Sequence, residues 1–421
     1  MKKQARENVV AFCPTQQQWP QVGRAICDGF GEINWQEESE RDHLRPESRR
    51  IGVSHGEEIF GGAFAYDFQM SLPGGAIVPV SGLAGVGISP PFQGCGGLHK
   101  IMDKHLEQSR THRDAASVLM ASESGIYKRY GYGAATEMAV WQLKTREFGL
   151  LDGHLESGRV RLMHDTAKAI AEVSAIYQAS VLQGNGALQR SDEWWPMIIG
   201  SKTRTWFGGG EQFVVVHYTD KNVADAYALY TLKESPGTEA GHGCISNTCT
   251  VNELVALDMS AEISMLSYLQ SIAWVRELIW DFGPINPRVR FAMKDPRQLR
   301  QRARIDMMWL RPLDLPALLN GRTYFSDGEV LLNYTDPVFS DLSGFWWLKV
   351  EGGVGDVTKL TSGDQGLAVD IDCSALGMVL TGGTRVCELA SSGIIRGTDD
   401  AIHLLDRLLL TDLVPFNLNK F

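Results

Sequence analysis

The stretch "GISPPFQGCGGLHKIM", Gly87–Met102, leaves a strand-like segment and enters a helix-like one with almost no side chain between them. Gly94, Cys95, Gly96 and Gly97 fill the junction. A strand, then Gln93-x-x-Gly96, then a helix start is an order with physical meaning. The first N–H groups of a helix have no partner within it and carry the positive end of its dipole, and small residues let an anion approach them. Gln93, Gly94, Cys95, Gly96, Gly97 and Leu98 can therefore cradle a phosphate. A tight glycine turn with no ligand is the other reading of the same residues.

The flanking segments say which fold carries this junction. "ENVVAFCP" reads as a strand and "QQQWPQVGRAICDGFG" as a helix. "RRIGVSHGEEIFGGAFAYDFQMSLPGGAIVPVSGLAGVGI" reads as strands divided by turns at "HGEE" and "LPGG". After the junction, Leu98, Ile101, Met102 and Leu106 follow helical spacing. His99, His105 and His112 are not spaced as ligands and read as ordinary helix and surface residues. "AASVLMAS" is a buried strand, "GIYKRYGYG" a turn-rich segment and "TEMAVWQL" a further strand, so an α+β domain is expected over 1–150. "GLLDGHLESGRV" has linker character. A second mixed domain is expected over 151–303, with the mark "SDEWWP", the strands "QFVVVHYTD" and "DAYALYTL", and a helix through "SAEISMLSYLQSIAW". A third, over 304–421, has short strands such as "GEVLLNYTD" and helices near "SALGMVLTGG" and "DDAIHLLDRLLL".

Length and composition agree. A chain of 421 residues, 44% hydrophobic and 21% charged, is that of a multidomain globular protein. No apolar run reaches the roughly 18 residues of a membrane span, and "MKKQARENVV" lacks the apolar core of a signal peptide. Seven scattered cysteines argue for a reducing compartment, so a cytoplasmic protein without membrane partners is expected. "HGCISNTC" (His242–Cys249) groups Cys with His but lacks a paired-Cys motif, so no metal is expected. A net charge of −10 disfavours nucleic acid and favours cationic partners.

Two motifs in order carry a family resemblance. In the general acetyltransferase (GNAT) superfamily a strand, a Gln/Arg-x-x-Gly-x-Gly/Ala loop and a helix wrap the pyrophosphate of acetyl-CoA, and a later strand leads to Tyr-x-x-x-Gly-Phe/Tyr. Here Gln93-x-x-Gly96 is followed by Tyr127-x-x-x-Gly131-Tyr132. "SLPGGAIVPVSGLAGVGISP", "ASESGIYKRYGYGAAT", "QRSDEWW", "AYALYTL", "VNELVALD", "MMWLRPLDLPALL" and "LTGGTRVCELASSGII" further resemble the Eis ("enhanced intracellular survival") acetyltransferases, across nearly the whole chain and in the family's order. The resemblance implies tandem GNAT folds, each a mixed sheet with helices on both faces, the second without a cofactor loop. A sterol-carrier-protein-like domain follows. It also implies acetyl-CoA or another acyl-CoA as donor, no metal, an amine-bearing small molecule such as an aminoglycoside as acceptor, and a homo-hexamer. An acyl-CoA-binding relative with little transferase activity, or a tailoring enzyme using a non-acetyl acyl group, are the alternatives.

Acyl transfer from a thioester to an amine needs a neutral amine, a stabilised oxyanion and a protonated leaving thiolate. By resemblance, main-chain groups of Val86, Gly87 and Ile88 hold the pantetheine arm, with Ser122 and Glu123 on the neighbouring strand. Tyr127 matches the general acid; a packing role is its plainer reading. The family's general base is the α-carboxylate of the last residue, here Phe421, whose plainer reading is a frayed terminus. Glu32 and Phe30 match acidic and aromatic positions of the acceptor pocket, with Trp35 nearby, although Glu32 also fits a solvated loop. Gln93, Gly94 and Cys95 stand where the family has an Arg-rich loop. Gly85 replaces a bulky aromatic beside the thioester, which is expected to open space. Lys420 replaces an acidic residue and is expected to disfavour polycations and attract a carboxylate-bearing acceptor.

Overall fold

The structure, a computed structural model, describes residues 8–31, 35–153, 157–199, 212–236, 245–363 and 366–421. Glu32, His242 and Cys244 lie outside them. The chain runs through β1 (Val9–Phe12), α1 (Trp19–Phe30), α2 (Trp35–Ser39), β2 (Arg50–His55), β3 (Glu58–Ser71), β4 (Ile77–Ile88), α3 (Gly97–Thr111), β5 (Ala116–Leu119), α4 (Ser124–Tyr127) and β6 (Gly133–Lys144). Next come β7 (Arg159–Leu162), α5 (Thr166–Gln183), α6 (Trp195–Ile198), β8 (Gln212–Tyr218), β9 (Ala224–Pro236), β10 (Ile245–Ala256), α7 (Met259–Ser271), β11 (Val275–Gly283) and β12 (Arg300–Pro312). The last are α8 (Leu315–Gly321), β13 (Gly328–Thr335), β14 (Gly344–Glu351), β15 (Val354–Leu360), β16 (Ala368–Asp372), α9 (Cys373–Val379), α10 (Val386–Ser391), β17 (Arg396–Gly397) and α11 (Asp399–Leu408). Two units form. One is Met1–Thr136, Asn185–Leu188 and Met307–Phe421; the other is Glu137–Gly184 and Gln189–Asp306.

In the first unit β1 to β4 pair antiparallel, β5 lies parallel to β4, and Trp309–Pro312 of β12 pair antiparallel with β5. The long β3–β4 hairpin turns at Pro73-Gly74-Gly75, where φ is +95° at Gly74 and +85° at Gly75; this is backbone that glycine adopts without strain. Alternation then sorts the faces. A side chain at Gly62 would strike Val22 and Ile26 of α1, whereas its neighbour Ala63 joins the core with Ile101, Met102 and Leu106 of α3. So α1 and α3 cover opposite faces. The three α3 residues are fully buried, each worth about 1.5–3 kcal/mol of apolar transfer.

The same unit contains the C-terminal segment's five-stranded sheet, ordered β15-β14-β13-β16-β17. Side chains cap its helices: Asp314 accepts from the Ala317 N–H at 2.9 Å and Asp372 from the Ala375 N–H at 2.7 Å. Past α11 the chain has no regular structure, yet it is anchored. The Phe416 N–H donates to the Asn185 carbonyl at 3.0 Å, and the Asn185 side chain donates to the Leu413 carbonyl at 2.9 Å. The Leu188 N–H donates to Asn417 Oδ1 at 3.3 Å. Residues 185–188 are in turn tied to β3, where the Ser71 N–H donates to the Ala187 carbonyl at 2.9 Å and the Gly186 N–H to the Ser71 carbonyl at 2.9 Å. The chain end is thereby led back to the first sheet.

The second unit pairs Ala139–Lys144 of β6 with β11, then β10, β9, β8 and β7; β10 and β11 are parallel and the rest antiparallel. One of its buried charge clusters centres on Arg190. Arg190 forms a two-pronged pair with Glu253 at 2.9 and 2.8 Å, the Tyr227 hydroxyl also donates to Glu253, and the guanidinium lies 4.1 Å from the Tyr177 ring centre. Removing one partner of such a pair leaves an uncompensated buried charge, which costs about 3–5 kcal/mol. Arg190→Ala is therefore expected to lower the melting temperature far more than removing the exposed pair through Arg304→Ala. Equal melting curves for the two variants would show that the buried pair contributes nothing.

Candidate active site

β4 and β5 stay in register only from Val80–Leu83 against Ala116–Leu119. β5 then ends, whereas β4 continues to Ile88, so among the described residues one edge of its last residues has no strand beside it. Register with β3 also breaks here: Phe64 opposes Ala84 and Gly62 opposes Gly87, leaving Gly85 and Val86 together across from Ala63. Such a bulge bends its strand and re-aims its peptide groups. Gly85 has φ +60°, and a Cβ there would lie 2.3 Å from the Phe64 ring. The room that the missing side chain was expected to leave is therefore filled by Phe64. Past the bulge a Cβ at Gly87 would lie 2.5 Å from the Ile26 carbonyl oxygen, and one at Gly29 2.6 Å from the Ile88 nitrogen. Backbone thus meets backbone where α1 crosses the end of β4.

The Gly94–Gly97 junction is a tight turn that leads straight into a helix start. Gly94 (φ +82°) and Gly96 (φ +92°) turn the chain, and Gly96 is the N-cap of α3. The first bond of the helix runs from the Lys100 N–H to the Gly96 carbonyl at 3.3 Å, so the N–H groups of Gly97, Leu98 and His99 precede it. No acidic side chain occupies the first turn, and nothing lies within 4 Å of where a Cβ of Gly94 would stand. Gly97 packs its α-carbon on Phe60 and Ile88, Cys95 is buried, and Gln93 is exposed. The counterpart helix α7 of the second unit is different. Asp258 accepts from the Ala261 N–H at 2.8 Å and Glu262 sits in the first turn, so that positive end already faces carboxylates. Beside the Gly94–Gly97 junction, a cleft of about 630 Å³ is lined by Asp28, Glu58, Phe60, Pro90 and Phe92 among others.

Tyr127 ends α4 and is buried in the apolar cluster that also holds Leu83, Leu119 and residues of α3. Burial pushes its phenol above the ordinary tyrosine range, while the Ser122 hydroxyl bonded to it pulls the other way. Ser122 and Glu123 are exposed between β5 and α4. Behind Tyr127, at 6.1 Å between ring centres, stands Tyr132; its hydroxyl shares a 2.7 Å hydrogen bond with Ser117, and Ser117 another of 2.7 Å with His105. Burial, with Arg49 and Arg311 adding to it, drives the His105 pKa down to about 3, so this imidazole is neutral.

Phe421 reaches the gap from the other face. Its ring lies 4.9 Å from Phe68 and 6.2 Å from Tyr66, and a Cβ at Gly82 would stand 3.1 Å from it. Phe64, Tyr66 and Phe68 form an aromatic row on the α1 face of β3, fixed by Trp19 edge-on at 6.2 Å and by Arg45 at 4.1 Å from the Phe64 ring. Phe421 therefore stands over Gly82 on the α1 face, whereas Tyr127 belongs to the apolar cluster of the other face that includes Leu83. Lys420 is half-buried with its Nζ withdrawn from solvent. Phe30 is exposed at the end of α1, and the half-buried Trp35 ring packs on Gly23 and, at 5.5 Å, on Trp19. Sequence reasoning missed the aromatic row, although the alternation in "AFAYDF" carries it, and missed Gly29, which no pattern marks.

The chain is similar to known acetyltransferases along most of its length. The acetyltransferase (GNAT) domain description matches residues 14–135, a second one matches 186–312, and the sterol carrier protein domain matches 315–417. An uncharacterized N-acetyltransferase of Streptomyces avermitilis is 26% identical over 402 residues, covering 93% of this chain and 94% of that one. N-acetyltransferase Eis of Mycobacterium tuberculosis is 26% identical over 422 residues, covering 95% and 96%. Among solved structures, Eis1 from Mycobacterium abscessus superposes with a TM-score of 0.84 at 23% identity, over 98% of this chain and 100% of that one. A GCN5-related N-acetyltransferase from Anabaena variabilis gives 0.83 at 18%, over 98% and 100%.

The bulge yields a comparative prediction. Gly85→Ala and Gly94→Ala both place a side chain at positive φ, a strain of about 1 kcal/mol or more. Only Gly85→Ala also drives a methyl group into Phe64, adding about 1–3 kcal/mol of overpacking. Thermal melts should show the larger loss for Gly85→Ala; equal losses would mean that the Phe64 ring yields freely.

Proposed function

The chain belongs to the Eis family of GNAT N-acetyltransferases, and from that premise we propose that it transfers an acyl group, acetyl in the simplest case, from acyl-CoA to a primary amine of a cationic small molecule such as an aminoglycoside. The observation that carries this reading is the pair of groups at the parting strands. A buried phenol stands on one face, and the last residue of the chain is folded back to the other. The donor supplies a thioester whose cleavage leaves a thiolate. The N–H groups of Gly96, Gly97 and Leu98 face the pyrophosphate, helped by Gln93, Gly94 and Cys95, and the free edge of Val86, Gly87 and Ile88 takes the pantetheine amides. Bulge N–H groups stabilise charge on the thioester oxygen. The Phe421 carboxylate accepts a proton from the amine, directly or through a water, and Tyr127, bonded to Ser122, donates one to the sulfur. Phe30, Trp35, Glu32, Gly85 and Lys420 shape the acceptor side, and Glu123 borders the donor.

Without arginines at Gln93, Gly94 and Cys95, the cradle relies on backbone N–H groups and the helix end, so donor affinity below the family's usual level follows. A hexameric assembly and a cytoplasmic location complete the proposal on the strength of the family resemblance. No helix among the described residues is long and apolar enough to cross a membrane.

The direct test is thiol release from acetyl-CoA in the presence of a panel of amines. Turnover with aminoglycosides or other polyamines supports the reading, and CoA binding without thiol release from any amine would make the protein a binder. Tyr127→Phe keeps the ring and removes the proton, so kcat should fall by about a hundredfold with the acyl-CoA Kd unchanged. Because its pKa is raised, Tyr127 stays protonated as pH rises, and this group should cause no alkaline loss of kcat below about pH 10. A tyrosine-dependent loss near pH 8 would contradict the assignment.

A further inference from the structure

The turn that carries Tyr127 is held from the C-terminal segment of the chain. It closes on itself through the Gly131 N–H to the Lys128 carbonyl at 3.0 Å and the Tyr132 N–H to the Tyr127 carbonyl at 3.3 Å. Arg311 of β12 then grips it: Nε donates to the Tyr130 carbonyl at 2.7 Å. Three further bonds of this fully buried guanidinium go to the Pro312 carbonyl at 2.9 Å and to both oxygens of Asp336 at 2.7 and 3.0 Å. Asp336 is equally buried. It begins the loop after β13 and fixes that loop by accepting from the Val338 and Phe339 N–H groups at 2.9 and 2.8 Å. Gly131, at φ +86°, lets the turn come so close that a Cβ there would stand 2.8 Å from the Cys373 sulfur.

The same loop also holds α3. Arg110 pairs with Asp341 at 3.0 and 2.7 Å and lies 4.4 Å from the Phe339 ring centre, and Arg311 lies 4.9 Å from that ring on its own side. A buried ion pair is a weak device for stability, because desolvation offsets the attraction. What it does supply is direction: five N–H donors in a rigid plane, of which four hydrogen bonds are made to fixed acceptors here. We infer that Arg311, oriented by Asp336, is a positioning residue for Tyr127. Through it the sterol-carrier-like segment sets where the acid's hydroxyl stands relative to the cofactor helix.

This inference rests on the acid role of Tyr127, and its test separates the two. Arg311→Lys and Asp336→Asn are each made in the parent and in a Tyr127→Phe background, and kcat, the acyl-CoA Kd and the melting temperature are measured for all. If the clamp acts by placing the hydroxyl, each substitution lowers kcat by about tenfold or more in the parent with the Kd unchanged, and by less than about twofold where that hydroxyl is already absent. Equal falls in both backgrounds, or full kcat in either single variant, would overturn the clamp and leave Tyr127 in place. Loss of folding in both clamp variants would make the pair structural and likewise overturn it. Parent-like turnover of Tyr127→Phe alone would overturn the acid assignment itself and the clamp with it.

Discussion

The parting of β4 from β5 after Leu83 and Leu119 is the constraint on which the rest of the active site depends. While the strands are paired, their peptide groups satisfy one another. Once β5 stops and the Gly85–Val86 bulge turns β4, a short run of backbone is left that wants partners and can give them to an extended ligand. Everything nearby is arranged around that run. Glycines at 29 and 87 let α1 press directly onto its end, the Phe64 ring fills the hollow over Gly85, and the bare helix end at Gly96 lies just beyond. Tyr127 and Phe421 reach the gap from opposite faces. In the proposed function the proton donor for the leaving sulfur and the acceptor for the incoming amine thus serve different atoms of the reaction.

The two GNAT units show how little separates a cradle from an ordinary helix start. Both place a helix after a strand that pairs in parallel with the next strand. In the first, the positive helix end opens onto glycines and no carboxylate. In the second, Asp258 follows β10 after a single residue and caps α7 itself, as Ser, Thr, Asp and Asn do at most helix starts. A phosphate at α7 would meet that carboxylate and Glu262 rather than unpaired N–H groups. In the second unit the buried Arg190–Glu253 pair supports packing.

Much of this was legible in the residues. The Gly94–Gly97 junction, the "LPGG" turn and the strand content of "GEVLLNYTD" follow from local chemistry, which is short-range and so appears in sequence. The Gly85 environment did not: a missing side chain suggests space, and only the register of β3 against β4 reveals that the ring of the next residue along the partner strand fills it. His105 is legible as a helix residue but not as the neutral end of a chain through Ser117 to Tyr132, because those contacts join residues brought together only by folding. Nor does any local pattern show that 185–188 form the bridge carrying the last ten residues back to β3, or that Arg311 and Asp336 close over the Tyr127 turn.

In the proposed function Phe421 acts as a base where the fold returns its segment to the parting strands. The most direct measurement of this role is turnover of a form extended by two glycines after Phe421, compared with the same protein tagged only at its N-terminus. Extension turns the Phe421 carboxylate into a neutral amide and moves the new charge away, while the ring can keep its place on Phe68 and Tyr66. The expected result is a kcat lower by about a hundredfold, with an unchanged acyl-CoA Kd and melting temperature. Turnover equal to that of the N-terminally tagged protein would contradict the claim and assign the proton transfer to a side chain or to water.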